Sequence, residues 1–121
     1  MFRIVLVAVF AMLFASNSLA QKSAAQPEPI FQSGKKLYQI CQNKEAFPDG
    51  FCLGYVVGIA DALTGPSKGY RGRTFCIPVG SIQNQIEFAV KKWLESNPDK
   101  RHLNAPDLVA WALSEAFPCR R

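Results

Sequence analysis

The sequence predicts a small all-α domain, four helices compacted by two disulfides. Apolar residues recur at three- and four-residue spacing in four separate stretches, and no strand-like alternation runs beyond three or four residues. Four cysteines, Cys41, Cys52, Cys76 and Cys119, follow an N-terminal segment with the composition of an export signal. In that segment Arg3 supplies the positive charge, residues 4–14 are an apolar run short for a bilayer span, and Ser18-Leu19-Ala20 offers the small side chains a signal peptidase requires. Residues 1–20 are therefore expected to be a cleaved signal peptide, without stable membrane insertion of the chain. Residues 21–30, polar and proline-bearing, read as a flexible leader, and residues 31–121 as the domain.

Each helix has its own signals. Ser33 is placed to cap the first, in which Leu37 lies one turn from Ile40 and Cys41, and the polar residues 42–45 end it. After Pro48-Asp49-Gly50, residues 51–63 form the second, with Cys52, Tyr55, Val56, Ile59 and Leu63 on one face. Gly54, Gly58 and Ala62 make a smooth second stripe. Each helical glycine costs about 0.5–1 kcal/mol relative to alanine, so close approach by another backbone is expected to compensate. Asp61 opposes the dipole near the end of this helix and is expected to be structural, bonded to loop backbone or to Arg71 or Arg73.

Gly65-Pro66 stop the second helix, and residues 64–74, rich in glycine and basic side chains without an apolar repeat, read as a mobile loop. Residues 75–78 return the chain to the core. Ser81 can cap a third helix with Ile82, Ile86, Ala89, Val90, Trp93 and Leu94 on one face and Glu87 and Glu95 on the outer, solvated side. Phe88 projects about 240° from Ile82 on the helical wheel and is expected to be covered by another segment. Asn97-Pro98 ends this helix. Asn104 and Asp107 resemble an N-terminal cap around Pro106, and Leu108, Val109, Ala112, Leu113 and Ala116 form the fourth apolar face, closed by Phe117-Pro118-Cys119.

A domain of this size buries a modest core, so cross-links matter: each bridge typically contributes about 2–4 kcal/mol. Four cysteines allow three pairings, which the sequence leaves open. Cys41 with Cys119 and Cys52 with Cys76 is preferred, since the second bridge would tie the basic loop back to the start of the second helix.

The chemistry of the side chains argues against an enzyme. A cysteine nucleophile would need a base, but the cysteines are expected to be paired and His102 sits in the charged turn Asp99-Lys100-Arg101-His102. Intervals of 11, 24 and 43 positions between cysteines contain no close pair of metal ligands, so neither a metal nor another cofactor is expected. The formal net charge of +5 falls by one when Arg3 leaves with the signal, and the basic residues are scattered without interleaved aromatics. That excludes a nucleic-acid groove and favours an acidic protein partner or an anionic envelope surface.

Ser33-Gly34, Leu37 and Cys41, then residues 51–62 reading FCLGYVVGIADA, then Phe75-Cys76-Ile77-Pro78, and finally Ala112-Leu113 with Ala116-Phe117-Pro118-Cys119, together resemble the Rap/Tai family. The resemblance spans about Phe31 to Cys119. It implies a periplasmic immunity protein, all-helical and often dimeric, that blocks an amidase which type VI secretion delivers to cut peptidoglycan peptides. Such a protein inserts a surface element into the toxin's cleft and needs no catalytic residue. The loop 64–74, with Lys68, Tyr70, Arg71 and Arg73, is the element expected to enter or cover that cleft, because it is long for so small a domain and carries side chains that anchor interfaces. The alternative is a periplasmic chaperone-like or stress-related protein that binds unfolded clients.

Overall fold

In the computed structural model, which describes residues 31–120, four α-helices pack around one core. They are α1 (Gly34–Gln42), α2 (Ala46–Leu63), α3 (Gln83–Ser96) and α4 (Ala105–Ala116), with a single 3-10 turn, Pro98–Lys100, between the last two. Each helix touches the other three. The all-α, doubly bridged architecture is the one the apolar periodicity predicts.

Ser33 caps α1 as expected, its hydroxyl accepting from the Lys36 amide at 3.2 Å. Leu37 and Cys41 are buried on the inner face. Main-chain bonds from Gly34 N to Leu103 O (2.7 Å) and from Ala105 N to Gln32 O (3.1 Å) lash the start of α1 to the start of α4. This crossing requires glycine: a Cβ on Gly34 would overlap Leu108 Cδ1 and lie 2.8 Å from the Arg101 carbonyl oxygen.

α2 begins at Ala46, ahead of the start at Phe51 read from the sequence. Pro48 falls in the first turn, where its missing N–H has no intrahelical acceptor to lose, and Asp49 suits the positive end of the dipole. Its buried stripe is Cys52, Val56 and Ala60, with Tyr55, Ile59 and Leu63 half-buried beside it. Ser81 does not cap α3; Ile82 holds that position, and Gln85 Oε1 accepts from the Ile82 amide at 3.2 Å. Ile82 is consequently exposed, while Ile86, Val90, Trp93 and Leu94 fill the core against Leu108, Val109, Ala112 and Leu113 of α4. Asn104 stands at the N-cap of α4 without a side-chain cap bond.

The disulfides join Cys41 to Cys52 and Cys76 to Cys119, correcting the preferred pairing of Cys41 with Cys119 and Cys52 with Cys76. The reason is local geometry. The short turn between α1 and α2 returns Cys52 to 5.1 Å from Cys41 (Cα to Cα), while the Cys76 amide donates to the Phe117 carbonyl at 2.8 Å and so sets that strand-like segment beside the C-terminus.

Candidate partner-binding site

The segment 64–74 is a pinned hairpin, not a mobile loop. Its base is closed by Gly65 N donating to Phe75 O (2.9 Å) and by Ile77 N donating to the Thr64 hydroxyl (2.9 Å), while Phe75 is fully buried. Its tip is a two-residue turn in which Tyr70 and Arg73 exchange both main-chain bonds at 3.0 Å. Arg71 and Gly72 there have φ of 48° and 79°, a left-handed pair that matches the twist of a hairpin. Gly69, at φ 112°, has no room for a side chain because a Cβ would overlap the Arg73 carbonyl. The glycines that look like flexibility in the sequence are the conditions for a tight turn.

The four residues singled out on this segment do not act alike. Lys68 and Arg71 are exposed, whereas Tyr70 is half-buried against the core. Arg71 lies over the Tyr70 ring at 5.4 Å and reaches Asp107 of α4 at 3.5 Å. Arg73 stacks on Trp111 of α4, its guanidinium carbon 3.7 Å from the ring centre. Lys100 approaches the same indole at 5.4 Å, and Trp93 lies against it at 5.4 Å with its own N–H bonded to Glu115 at 2.8 Å. The surface so formed combines Arg71, Arg73, Lys100 and Trp111. Trp111 and Lys100 escaped the sequence reading, since one sits near a helix's apolar stripe and the other in a turn; basic residues and an aromatic from separate segments gave no local pattern.

Arg101, next to Lys100, is structural. It stacks on Tyr38 at 3.5 Å while its Nε and Nη2 donate to the Leu94 and Glu95 carbonyls at 2.8 and 3.1 Å, satisfying the exposed end of α3. His102 is exposed, with Nδ1 2.8 Å from the Asp99 carbonyl. All four cysteines are in bridges, and among the described residues no group of three or more His, Cys, Asp or Glu side chains is placed to hold a metal.

Several surface expectations change. Asp61 is exposed and, among the described residues, forms no ion pair; Arg71 pairs with Asp107 instead, and the helix exit is fixed through Thr64 and Gly65. A Cβ added at Gly54 or Gly58 would meet nothing within 4 Å, so among the described residues no other backbone approaches their stripe. α2 is long and apolar enough to cross a membrane, yet only 17% of it is buried, because its inner stripe alone faces the core. Phe88 is uncovered, 65% exposed between two shallow clefts of about 410 and 460 Å³. Glu87 is buried, contrary to its assignment to the solvated side. Lys91, one turn on, holds it at 2.9 Å and also reaches Asp49 at 3.3 Å.

The structure is thus a bridged helical scaffold that presents an aromatic-backed basic hairpin, with its four cysteines in disulfides and its histidine at the surface. The chain belongs to the Rap1a immunity protein family, whose model matches residues 33–119. No curated protein matches it. Membership makes the chain an immunity protein for a secreted effector, a protein partner that it binds; such families are generally non-enzymatic. The two disulfides and the family together mark an exported protein.

Proposed function

We propose that this chain is a periplasmic immunity protein that binds and inhibits a peptidoglycan amidase delivered by type VI secretion, with the hairpin carrying Lys68, Tyr70, Arg71 and Arg73 entering or covering the amidase cleft. The observation that carries the reading is the family match over residues 33–119. The hairpin supports it physically: a turn already fixed by main-chain bonds and by stacking on α4 loses little conformational freedom on docking, so more of the contact energy remains as affinity. Inhibition by occupation needs no chemistry from this chain, only a complementary surface of sufficient area.

The test is co-expression with periplasmic amidase effectors in a host that each one lyses. Rescue by the wild type and loss of rescue in a Lys68→Ala, Arg71→Ala variant of unchanged thermal stability are expected. Rescue by both sinks the hairpin assignment, and failure to bind or neutralise any amidase sinks the amidase reading.

A second reading is favoured by the bare outer face of α2 with exposed Phe47. An exported client-binding protein would use such a face for unfolded chains and would suppress aggregation of unrelated proteins. The same face, with Gly54 and Gly58 allowing two helix backbones to approach, is the surface we assign to a homodimer; sedimentation of the wild type as a monomer at high concentration would remove that assignment.

A further inference from the structure

We propose that the edge of the Arg73 guanidinium receives a carboxylate from an acidic surface on the partner protein, with Trp111 as its backing and Lys100 as the second cation. The inference rests on the binding reading above and names the chemistry of the contact. Arg73 is half-buried, with its guanidinium carbon over the Trp111 ring and 3.7 Å from the ring centre. A guanidinium stacked in this way uses its face and leaves five in-plane N–H donors for other partners. Among the described residues no carboxylate pairs with those donors.

The neighbouring arginines make the contrast. Arg101 has the same stacked geometry, on Tyr38 at 3.5 Å, but its edge is taken up by the Leu94 and Glu95 carbonyls. Arg71 has Asp107. Arg73 alone of these is oriented by a ring and has no acceptor among the described residues. Partial burial of a cation without an acceptor is unfavourable, and stacking on tryptophan offsets only part of that cost. A bidentate carboxylate completes the group, and Lys100, 5.4 Å from the same indole and partly neutralised by Asp99 at 3.0 Å, adds a weaker attraction for it.

The flanking charges select a protein over a membrane. Asp107, beside Arg71, and Asp99, 3.0 Å from Lys100, border this basic surface. A flat sheet of anionic headgroups would press against both carboxylates, whereas a single glutamate or aspartate side chain can enter between them.

The test follows the Trp111 indole and Arg73 Nε–H signals of the exported chain by NMR during titration with a decaglutamate peptide, its decaglutamine counterpart, and phosphatidylglycerol vesicles. Both signals are expected to shift with the glutamate peptide alone. Affinity should fall about tenfold or more in Arg73→Gln, the change expected from one charge-assisted bond, and less in Arg73→Lys, which keeps the charge without the fork. Retained helical circular dichroism, with trypsin cleavage after Lys68 and Arg71 at the wild-type rate, in both variants separates lost binding from lost folding and from a loosened hairpin. Unchanged signals with the peptide, equal affinity in Arg73→Gln, or Arg73-dependent binding to vesicles in place of peptide would each overturn the proposal. Rescue from an amidase by Arg73→Gln at wild-type potency would also overturn it while leaving the immunity function intact.

Discussion

The guanidinium of Arg73 sits 3.7 Å from the ring centre of Trp111, so the tip of a surface hairpin is held by a residue of α4. Arg71 adds a weaker hold through Asp107 at 3.5 Å, with its side chain 55% exposed and its charge screened by water. Stacking is therefore the stronger of the two anchors, and the position of the presented surface depends on an aromatic ring outside the hairpin.

Trp111→Ala is accordingly expected to loosen the hairpin without unfolding the helices. Limited trypsin digestion should cut after Arg71 and Arg73 several-fold faster than in the wild type, while Trp111→Phe, which keeps an aromatic face, stays near the wild-type rate. Equal cleavage of all three proteins would show that the main-chain turn alone fixes the hairpin.

The glycines should respond to alanine in opposite directions. Gly34→Ala forces a methyl into Leu108 and the Arg101 carbonyl and should cost about 1–3 kcal/mol, the usual range for overpacking. Gly54→Ala and Gly58→Ala meet open space and should stabilise the isolated chain by about 0.5–1 kcal/mol each through helix propensity. Urea denaturation measures both effects, and repeating it at several protein concentrations tests whether those same alanines weaken self-association.

Removal of the disulfides should not be equivalent. In the chain-entropy view a bridge spanning 43 positions restricts the unfolded chain more than one spanning 11. The expected losses are about 4 kcal/mol for Cys76→Ser with Cys119→Ser and about 3 kcal/mol for Cys41→Ser with Cys52→Ser. Thermal unfolding of the two double variants should rank them in that order.

Stability should fall on the alkaline side. Burial and, secondarily, Tyr70 raise the Tyr55 hydroxyl above its ordinary 10.0. Burial draws Lys91 down, but its bonds to Glu87 and Asp49 outweigh this and raise it above 10.5. Both groups hold their protons more tightly folded than unfolded, so their contributions are complete below about pH 10 and are lost as pH rises through the folded values. Tyr55→Phe should make the alkaline decline of the urea midpoint shallower and leave neutral-pH behaviour close to wild type; an unchanged alkaline slope would exclude Tyr55 as a source.

The helices were legible because Leu37, Cys41, Val56, Val90, Leu94, Leu108 and Leu113 repeat with the period of the fold that buries them. The disulfide pairing was not, since it depends on how the 42–45 turn and the Cys76–Phe117 contact place chain segments in space. Asp61 and the Gly54–Gly58 stripe lack the expected partners among the described residues for one physical reason: the wheel gives a residue's face but not whether another element covers that face. Trp111 and Lys100 were missed because stacking partners from distant segments share no spacing.

The pairing of neighbours in the two disulfides also decides the fate of the chain under attack. Each bridge closes on its own side of the hairpin, Cys41–Cys52 before it and Cys76–Cys119 after it. A protease that nicks the backbone at Lys68, Arg71 or Arg73 therefore leaves two pieces with no covalent link, joined by the packing of α1 and α2 on α3 and α4 and by main-chain bonds such as Gly34 N to Leu103 O. The exposed element that presents the basic surface thus lies in the stretch between Cys52 and Cys76, where a single cut, followed by dissociation, separates the chain into two pieces irreversibly.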